Sequence, residues 1–480
     1  MLFNSIEFLT FFVIVFSVYH FFLNKKTTQQ NILLLIASYV FYAWANWKIL
    51  PLLAATTISF YFLGIAIHMA KTEKRKQLFT ILGVVFGIGT LLYFKYFNFF
   101  IHSFKDLFES FGIQTNLYSF NIMIPVGISF YTFRLLSYVI DIYREKIEPA
   151  RNIIEFAAFV AFFPCLLAGP IDRPATLIPQ LQNRRIFDFH LTVDGMRQVL
   201  WGLFKKVVIA DNCVIYVDEI FGGNYQLHSG STLLLAAVIF SFQMYADFSG
   251  YSDMAIGVAK ILGFRVTRNF DYPFFAQNIA EYWRKWHISL TSWLTDYIFM
   301  PLNIKWRDKG NAGMIAAIII TFILVGLWHG DNWKFAFFGL YHGLLYIPLI
   351  LTEAMFKKNK IKINRWGFPK PKILLKILLT FALVTIGNII FRADSAGEAF
   401  AYLWGITANG GWFFVEPGWR QITCFIIMMM LVEWIQRQKQ HGLDLSETKS
   451  HVWKFAIYYV LIAALFVFGR TAEVFIYFQF

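Results

Sequence analysis

Residues 313–333, GMIAAIIITFILVGLWHGDNW, decide the fold. The run 314–325 carries no charged side chain, and at a helical rise of about 1.5 Å per residue it makes the core of a bilayer crossing. It then meets Gly326, Trp328, His329 and Gly330 before Asp331 ends it. An ionisable side chain at the end of a hydrocarbon-soluble helix is costly to place there, so it asks for a function.

The rest of the chain supports the bilayer reading. Of 480 residues, 58% are hydrophobic, 20% aromatic and 15% charged, and the mean hydropathy is +0.54. A soluble protein of this length would need more charge to cover its surface. The net charge of +14 lies between apolar runs, as in cytoplasmic loops, which argues for membrane orientation and against nucleic acid. Cys165, Cys213 and Cys424 are far apart and lie in or beside apolar runs; they read as small buried hydrophobes, not as disulfides or a metal pair.

Apolar segments recur at 6–23, 31–47, 49–68, 78–101, 122–140, 153–169, 233–248, 314–329, 333–352, 373–391, 419–435 and 453–470. The first lacks the basic start and small-residue cleavage site of a signal peptide and is expected to stay as a span. Lys25, Lys26 and the cluster Lys71, Lys74, Arg75 and Lys76 flank a two-crossing hairpin, which puts the N-terminus outside. Residues 357–372 hold seven Lys or Arg and no acid, whereas 392–418 balance Arg392 against Asp394, Glu398 and Glu416. That alternation sets 357–372 inside and the C-terminus outside. Two external termini need an odd number of crossings, so at least one of the twelve segments does not span.

Residues 170–310 break into shorter apolar pieces at AGPIDRP (168–174), FSGYSD (248–253) and FDYPFF (270–275). Irregular backbone at membrane depth survives only where protein buries it or water reaches it, so re-entrant or interfacial helices around a cavity are expected here. Within this region stands EYWRKWHISLTSWLTDYIFMPL, 281–302. As one helix it places Glu281, Lys285, Ser289, Ser292 and Asp296 on a solvated face. Trp283, His287, Leu290, Leu294 and Ile298 fall on the apolar face, with Trp286 and Tyr297 at its margin. His287 therefore sits where a surface anchor would carry leucine.

His329 and His287 are the candidate catalytic pair, because a neutral imidazole can take a proton from an attacking hydroxyl. The glycines around His329 allow a backbone or a substrate to come close. GLYHG (339–343) echoes the motif, but His342 there reads as a helix-packing group. QMYADFSGYSDMAIG (243–257) supplies Gln243, Asp247, Ser249 and Tyr251 either as a polar lining or as part of a helix cap at Ser252 or Asp253. No Gly-x-Ser-x-Gly elbow, His-Glu-x-x-His pair, Walker loop or dinucleotide fingerprint is present, which leaves direct attack by an external alcohol and no metal. A transporter would show an internal repeat and broken helices in two halves, and neither is visible. A scaffold would give His287 no reason to face inward.

WRKWHISLTSWLTDYIFMPL followed by GLWHGDNWKFAFFGLYHG resembles the signature of the membrane-bound O-acyltransferases, and within them the alginate O-acetyltransferase branch. MLFNSIEFL, FFPCLLAGPIDRP (162–174), FQMYADFSGYSDMAIG (242–257), NIIFRADS (388–395) and the ending FIYFQF add to the likeness. It covers nearly the whole chain, in order. The resemblance implies a single all-α domain over 1–480, a polytopic ring of roughly eleven transmembrane helices around a central funnel. Residues 170–310 would carry the first histidine motif and 314–343 the second. It makes His329 the essential histidine and His287 its companion, with Trp328, Asp331, Asn332, Trp333, Trp283 and Trp286 along a substrate tunnel.

The implied donor is a cytosolic acyl thioester such as acetyl-CoA, with no permanently bound cofactor. Lys205, Lys206 and Arg284 would meet its phosphates. The implied destination is an extracytoplasmic polysaccharide, reached through a periplasmic esterase-like partner, with the protein in the bacterial inner membrane. Relatives often carry a small residue where this chain has Asp331; a carboxylate there would favour the imidazolium form and weaken His329 as a base.

Overall fold

A computed structural model describes residues 1–115, 120, 122–223, 225–357, 361–364, 367–412 and 414–470. The FIYFQF ending lies outside the described residues. The described chain is helical, and its one β-type pairing is an isolated bridge between Ile363 and Pro369. Among the described residues, seven helical stretches are long and apolar enough to cross a membrane: Trp47–Met69, Glu73–Ser110, Gly230–Ile261, Arg307–His329, Trp333–Leu351, Pro371–Arg392 and His451–Phe468. That is fewer than the eleven expected. The apolar helices Ile6–Phe22, Thr27–Ala43 and Trp419–Ile435, each 17 residues, and Ile128–Tyr143, 16 residues, stop short of that length. The protein is a multi-pass membrane protein by these helices.

The chain forms two compact units. The first comprises Met1–Val199 and Met254–Thr267. Its helices Leu50–Met69 and Glu73–Leu91 pack on Ile128–Tyr143 where glycine removes a side chain: a Cβ on Gly87 would lie 2.9 Å from Leu136. The segment 153–169 is not one span. It folds as two short helices, Ile153–Val160 and Phe163–Leu166, split before Pro164, which cannot donate the bond that would continue a helix. Carbonyls freed by this break are met by Arg134, which is fully buried. Its Nη1 donates to Val160 O at 3.1 Å, and its Nη2 to Cys165 O at 2.9 Å and Pro170 O at 3.2 Å. The same loop is anchored at Asp172, whose Oδ1 accepts from both the backbone N–H and the hydroxyl of Thr267 at 2.8 Å.

The second unit, Leu200–Asp253 and Arg268–Phe480, holds both histidine motifs. FSGYSD does not interrupt it as expected: Gly230–Ile261 is one helix of 32 residues, so Ser252 and Asp253 cap nothing. Gly250 sits inside that helix because another backbone crosses it; a Cβ there would lie 2.8 Å from the Gly202 carbonyl oxygen and 3.0 Å from Lys206 N. Polar residues in this helix are taken up by lysine partners described below, and that is why a charged, glycine-containing stretch stays helical.

Gly310–His329 and Trp333–Leu344 form a tight helical pair. A Cβ on Gly326 would fall on the carbonyl of Phe335, and one on Gly339 on the carbonyl of Phe322. At both glycines the close approach is by a backbone.

Candidate active site

The stretch 281–302 is not the single helix its periodicity suggests. Ile279–Lys285 ends, Trp286 is extended, and His287 adopts a left-handed conformation at φ 46° before Ile288–Leu294 begins. For a residue with a Cβ such a conformation costs about 1–3 kcal/mol, so surrounding bonds must hold it. They come from residues 269–271. Asp271 N donates to Lys285 O at 3.0 Å, and Ile288 N donates to Asn269 O at 2.9 Å, bracketing His287 on both sides. The break also changes which polar residues meet solvent. Ser292 and Asp296 are exposed as expected, but Glu281 and Ser289 are buried. Glu281 accepts from Gln277 N and pairs with Lys285 at 3.2 Å, while Ser289 Oγ donates to Asn269 Oδ1 at 2.6 Å.

His287 is 1% exposed, with its ring edge-on to Phe248 at a centroid distance of 4.6 Å and beside Trp328 at 5.5 Å. Burial pushes its pKa down to about 3, so the imidazole is neutral at physiological pH and carries one N–H donor and one acceptor. Trp328 in turn contacts His329 at 4.9 Å. His329 is the last residue of its helix, is buried, and is enclosed by Phe391 at 5.2 Å and Phe338 at 6.0 Å. The structure thus brings the two histidines onto one indole.

His342 stands one ring further along: Phe338 lies 4.7 Å from it. The Nε1–H of Trp283 donates to His342 Nδ1 at 3.3 Å, which leaves the imidazole proton on Nε2. His342 packs as expected, with an indole as its hydrogen-bond partner. Trp283 also lines a cavity of about 390 Å³ with Arg284, Ile288, Phe322, Val325 and Tyr346.

Other expected site residues lie elsewhere. Asp331 and Asn332 are exposed in the turn between the paired helices, Trp333 is 65% exposed at the start of the second, and Asn332 Oδ1 caps that helix by accepting from Lys334 N at 2.9 Å. Trp286 belongs to an aromatic cluster with Tyr282, Phe270 and Phe274. Gln243 and Tyr251 are buried in the long helix.

Lys205 and Lys206 do not form a phosphate-facing rim; both are buried in ion clusters. Lys205 Nζ reaches Asp253 at 2.7 Å and donates to Ser249 Oγ at 2.8 Å. Lys206 Nζ reaches Asp211 at 2.7 Å and Asp247 at 2.9 Å. Burial pushes the Lys206 pKa down, but Asp247 and Asp211 together outweigh it and hold it above the ordinary lysine value. The π-helical segment Phe204–Ala210 carries the two adjacent lysines to separate carboxylates. Arg284 alone of the three basic candidates is exposed, and its Nη1 donates to Met355 O at 2.9 Å.

Sequence reasoning missed Asn269, Phe248, Phe338 and Phe391. Phe248 and Phe391 stand inside the quoted motifs 242–257 and 388–395, and Phe338 inside GLWHGDNWKFAFFGLYHG, so the signal was there without a reason to choose them. Asn269 immediately precedes FDYPFF, and nothing in its own neighbours marks it.

The described chain is thus a helical membrane protein that buries two imidazoles against a shared indole. The chain belongs to the membrane-bound O-acyltransferase family, whose model matches residues 39–382, and it is an O-acyltransferase. It is 39% identical to a protein described as "Probable alginate O-acetylase AlgI" from Pseudomonas aeruginosa, over 86% of this chain and 76% of that one. It is 29% identical to a peptidoglycan O-acetyltransferase of Helicobacter pylori, over 100% of this chain and 98% of that one. A teichoic acid D-alanyltransferase of Bacillus subtilis is 28% identical over 56% of this chain and 69% of its own length.

Proposed function

We propose that this O-acyltransferase moves an acetyl group from acetyl-CoA in the cytosol to a hydroxyl of an extracytoplasmic polysaccharide, by way of a periplasmic esterase-like partner. The protein would sit in the bacterial inner membrane with both termini outside. The observation that carries the chemistry is Trp328 lying against both His287 and His329.

In this mechanism His329 accepts the proton of the acceptor hydroxyl as its oxygen attacks the thioester carbonyl. The tetrahedral intermediate expels the CoA thiolate, which takes that proton back from the imidazolium, so protons balance. His287, neutral through burial, offers one N–H to position the acceptor or to meet the developing oxyanion. The aromatic walls exclude water that would otherwise hydrolyse the thioester. Arg284 would meet a donor phosphate; its exposure at the cavity that Trp283 lines supports this reading. The alginate O-acetylase and peptidoglycan O-acetyltransferase relatives support a glycan acceptor.

The test is acetyl transfer from radiolabelled acetyl-CoA by purified protein and by its His329→Ala variant. The variant is expected to insert and fold while transferring nothing. Near-normal transfer by that variant, or none by the unaltered protein in the presence of polysaccharide and periplasmic extract, overturns the reading.

A further inference from the structure

We infer that Asn269 is a positioning residue for His287, resting on the catalytic reading of that histidine given above. Asn269 is completely buried and uses both its backbone and its side chain on the two residues that follow the left-handed turn. Its backbone carbonyl accepts from Ile288 N at 2.9 Å, and its Oδ1 accepts from Ser289 N at 3.3 Å and Ser289 Oγ at 2.6 Å. Its Nδ2 donates to Ser252 Oγ at 3.2 Å on the long helix that also carries Phe248, the ring beside His287. One amide therefore ties the left-handed turn to the helix that forms one wall of the imidazole's pocket.

Neither of the side chains nearest in shape fills this place. Aspartate keeps the acceptor but loses the donor to Ser252 and adds a buried charge. Leucine keeps the volume but leaves the Ser289 and Ser252 groups buried without their amide partner. The turn matters because His287 has a Cβ at φ 46°, a conformation it leaves readily once its following N–H groups are released. Rotation of that turn swings the imidazole away from Trp328 while the chain on either side stays helical.

The experiment is a double-mutant cycle between Asn269→Ala and His287→Ala, read as acetyl transfer from radiolabelled acetyl-CoA in proteoliposomes. Asn269→Ala alone is expected to lower kcat about 100-fold with KM for acetyl-CoA little changed, the loss that follows from misplacing a reacting group by about 1 Å. Added to His287→Ala, it is expected to cost nothing more, because its effect runs through that imidazole. Equal losses in both backgrounds would show a general structural role and overturn the inference. A His287→Ala protein with full activity would instead remove the catalytic reading itself. A structure of the Asn269→Ala protein gives a readout independent of any donor: residue 287 is expected to leave the left-handed region, and an unmoved turn overturns the proposal.

Discussion

The ring of His287 lies 5.5 Å from the indole of Trp328, and that indole meets the ring of His329 at 4.9 Å. The two histidines come from separate motifs, one at a broken helix and one at a helix end. A single aromatic plate therefore sets the relation between two groups that the backbone holds independently.

Trp328→Ala removes that plate. The expected result is a fall of about 100-fold in kcat, since each imidazole loses the wall that fixes it. Loss of the buried indole is also expected to cost about 3–5 kcal/mol of stability. Trp328→Phe keeps a flat ring and is expected to retain far more of both. Steady-state rates and denaturation midpoints in detergent check the pair; equal rates for Ala and Phe would show that ring packing does not set the geometry.

Gly326 and Gly339 are where the helices carrying His329 and His342 touch through their backbones. Alanine at Gly326 would place its Cβ on the Phe335 carbonyl, so the helices must separate. A loss of about 1–3 kcal/mol is expected, with reduced activity because His329 ends one of those helices. Gly343→Ala meets Ile319 Cα at 3.2 Å and is expected to cost less. The thermal midpoint should fall further for Gly326→Ala than for Gly343→Ala.

Much of this was legible in the sequence. The run 314–325 could only be a buried or membrane helix, and His329 at its end could only be a group with a partner or a purpose. What failed was periodicity applied across 281–302. A left-handed residue resets helical phase, and the bonds that hold it at His287 come from Asn269 and Asp271, contacts that spacing along the chain does not reveal. FSGYSD failed in the opposite sense. Its glycine and acid look like a break, yet Gly250 makes room for a crossing backbone and Asp247 and Asp253 find buried lysines. Lys205 and Lys206 likewise read as surface charge because composition cannot show a partner across the fold.

Those lysines yield a prediction of their own. Lys206→Met leaves Asp211 and Asp247 buried without their shared cation, which is expected to cost about 3–5 kcal/mol. Lys206→Met combined with Asp211→Asn and Asp247→Asn removes the uncompensated charge and is expected to recover most of it. Expression level and thermal midpoint decide; a single variant as stable as the unaltered protein would mean the cluster is not needed to hold the π-helical segment.

His287 predicts the response to acid. Its native imidazole stays neutral until pH about 3, whereas an unfolded histidine takes its proton near about 6.5. Between those values the unfolded chain binds a proton that the folded one refuses, so stability rises with pH across the window and falls as pH drops through it. At pH 5 relative to pH 8 this one group is expected to contribute a loss of about 2 kcal/mol. For a chain of this length that is about 2 °C in thermal midpoint. His287→Asn, whose side chain tolerates the left-handed conformation, cannot take up the proton and should lack that increment. Thermal unfolding of both proteins at pH 5 and pH 8 measures the difference of differences. An identical pH response in the two would mean that the imidazole is open to solvent before the chain unfolds, and with it the water-excluded pocket that the transfer chemistry requires.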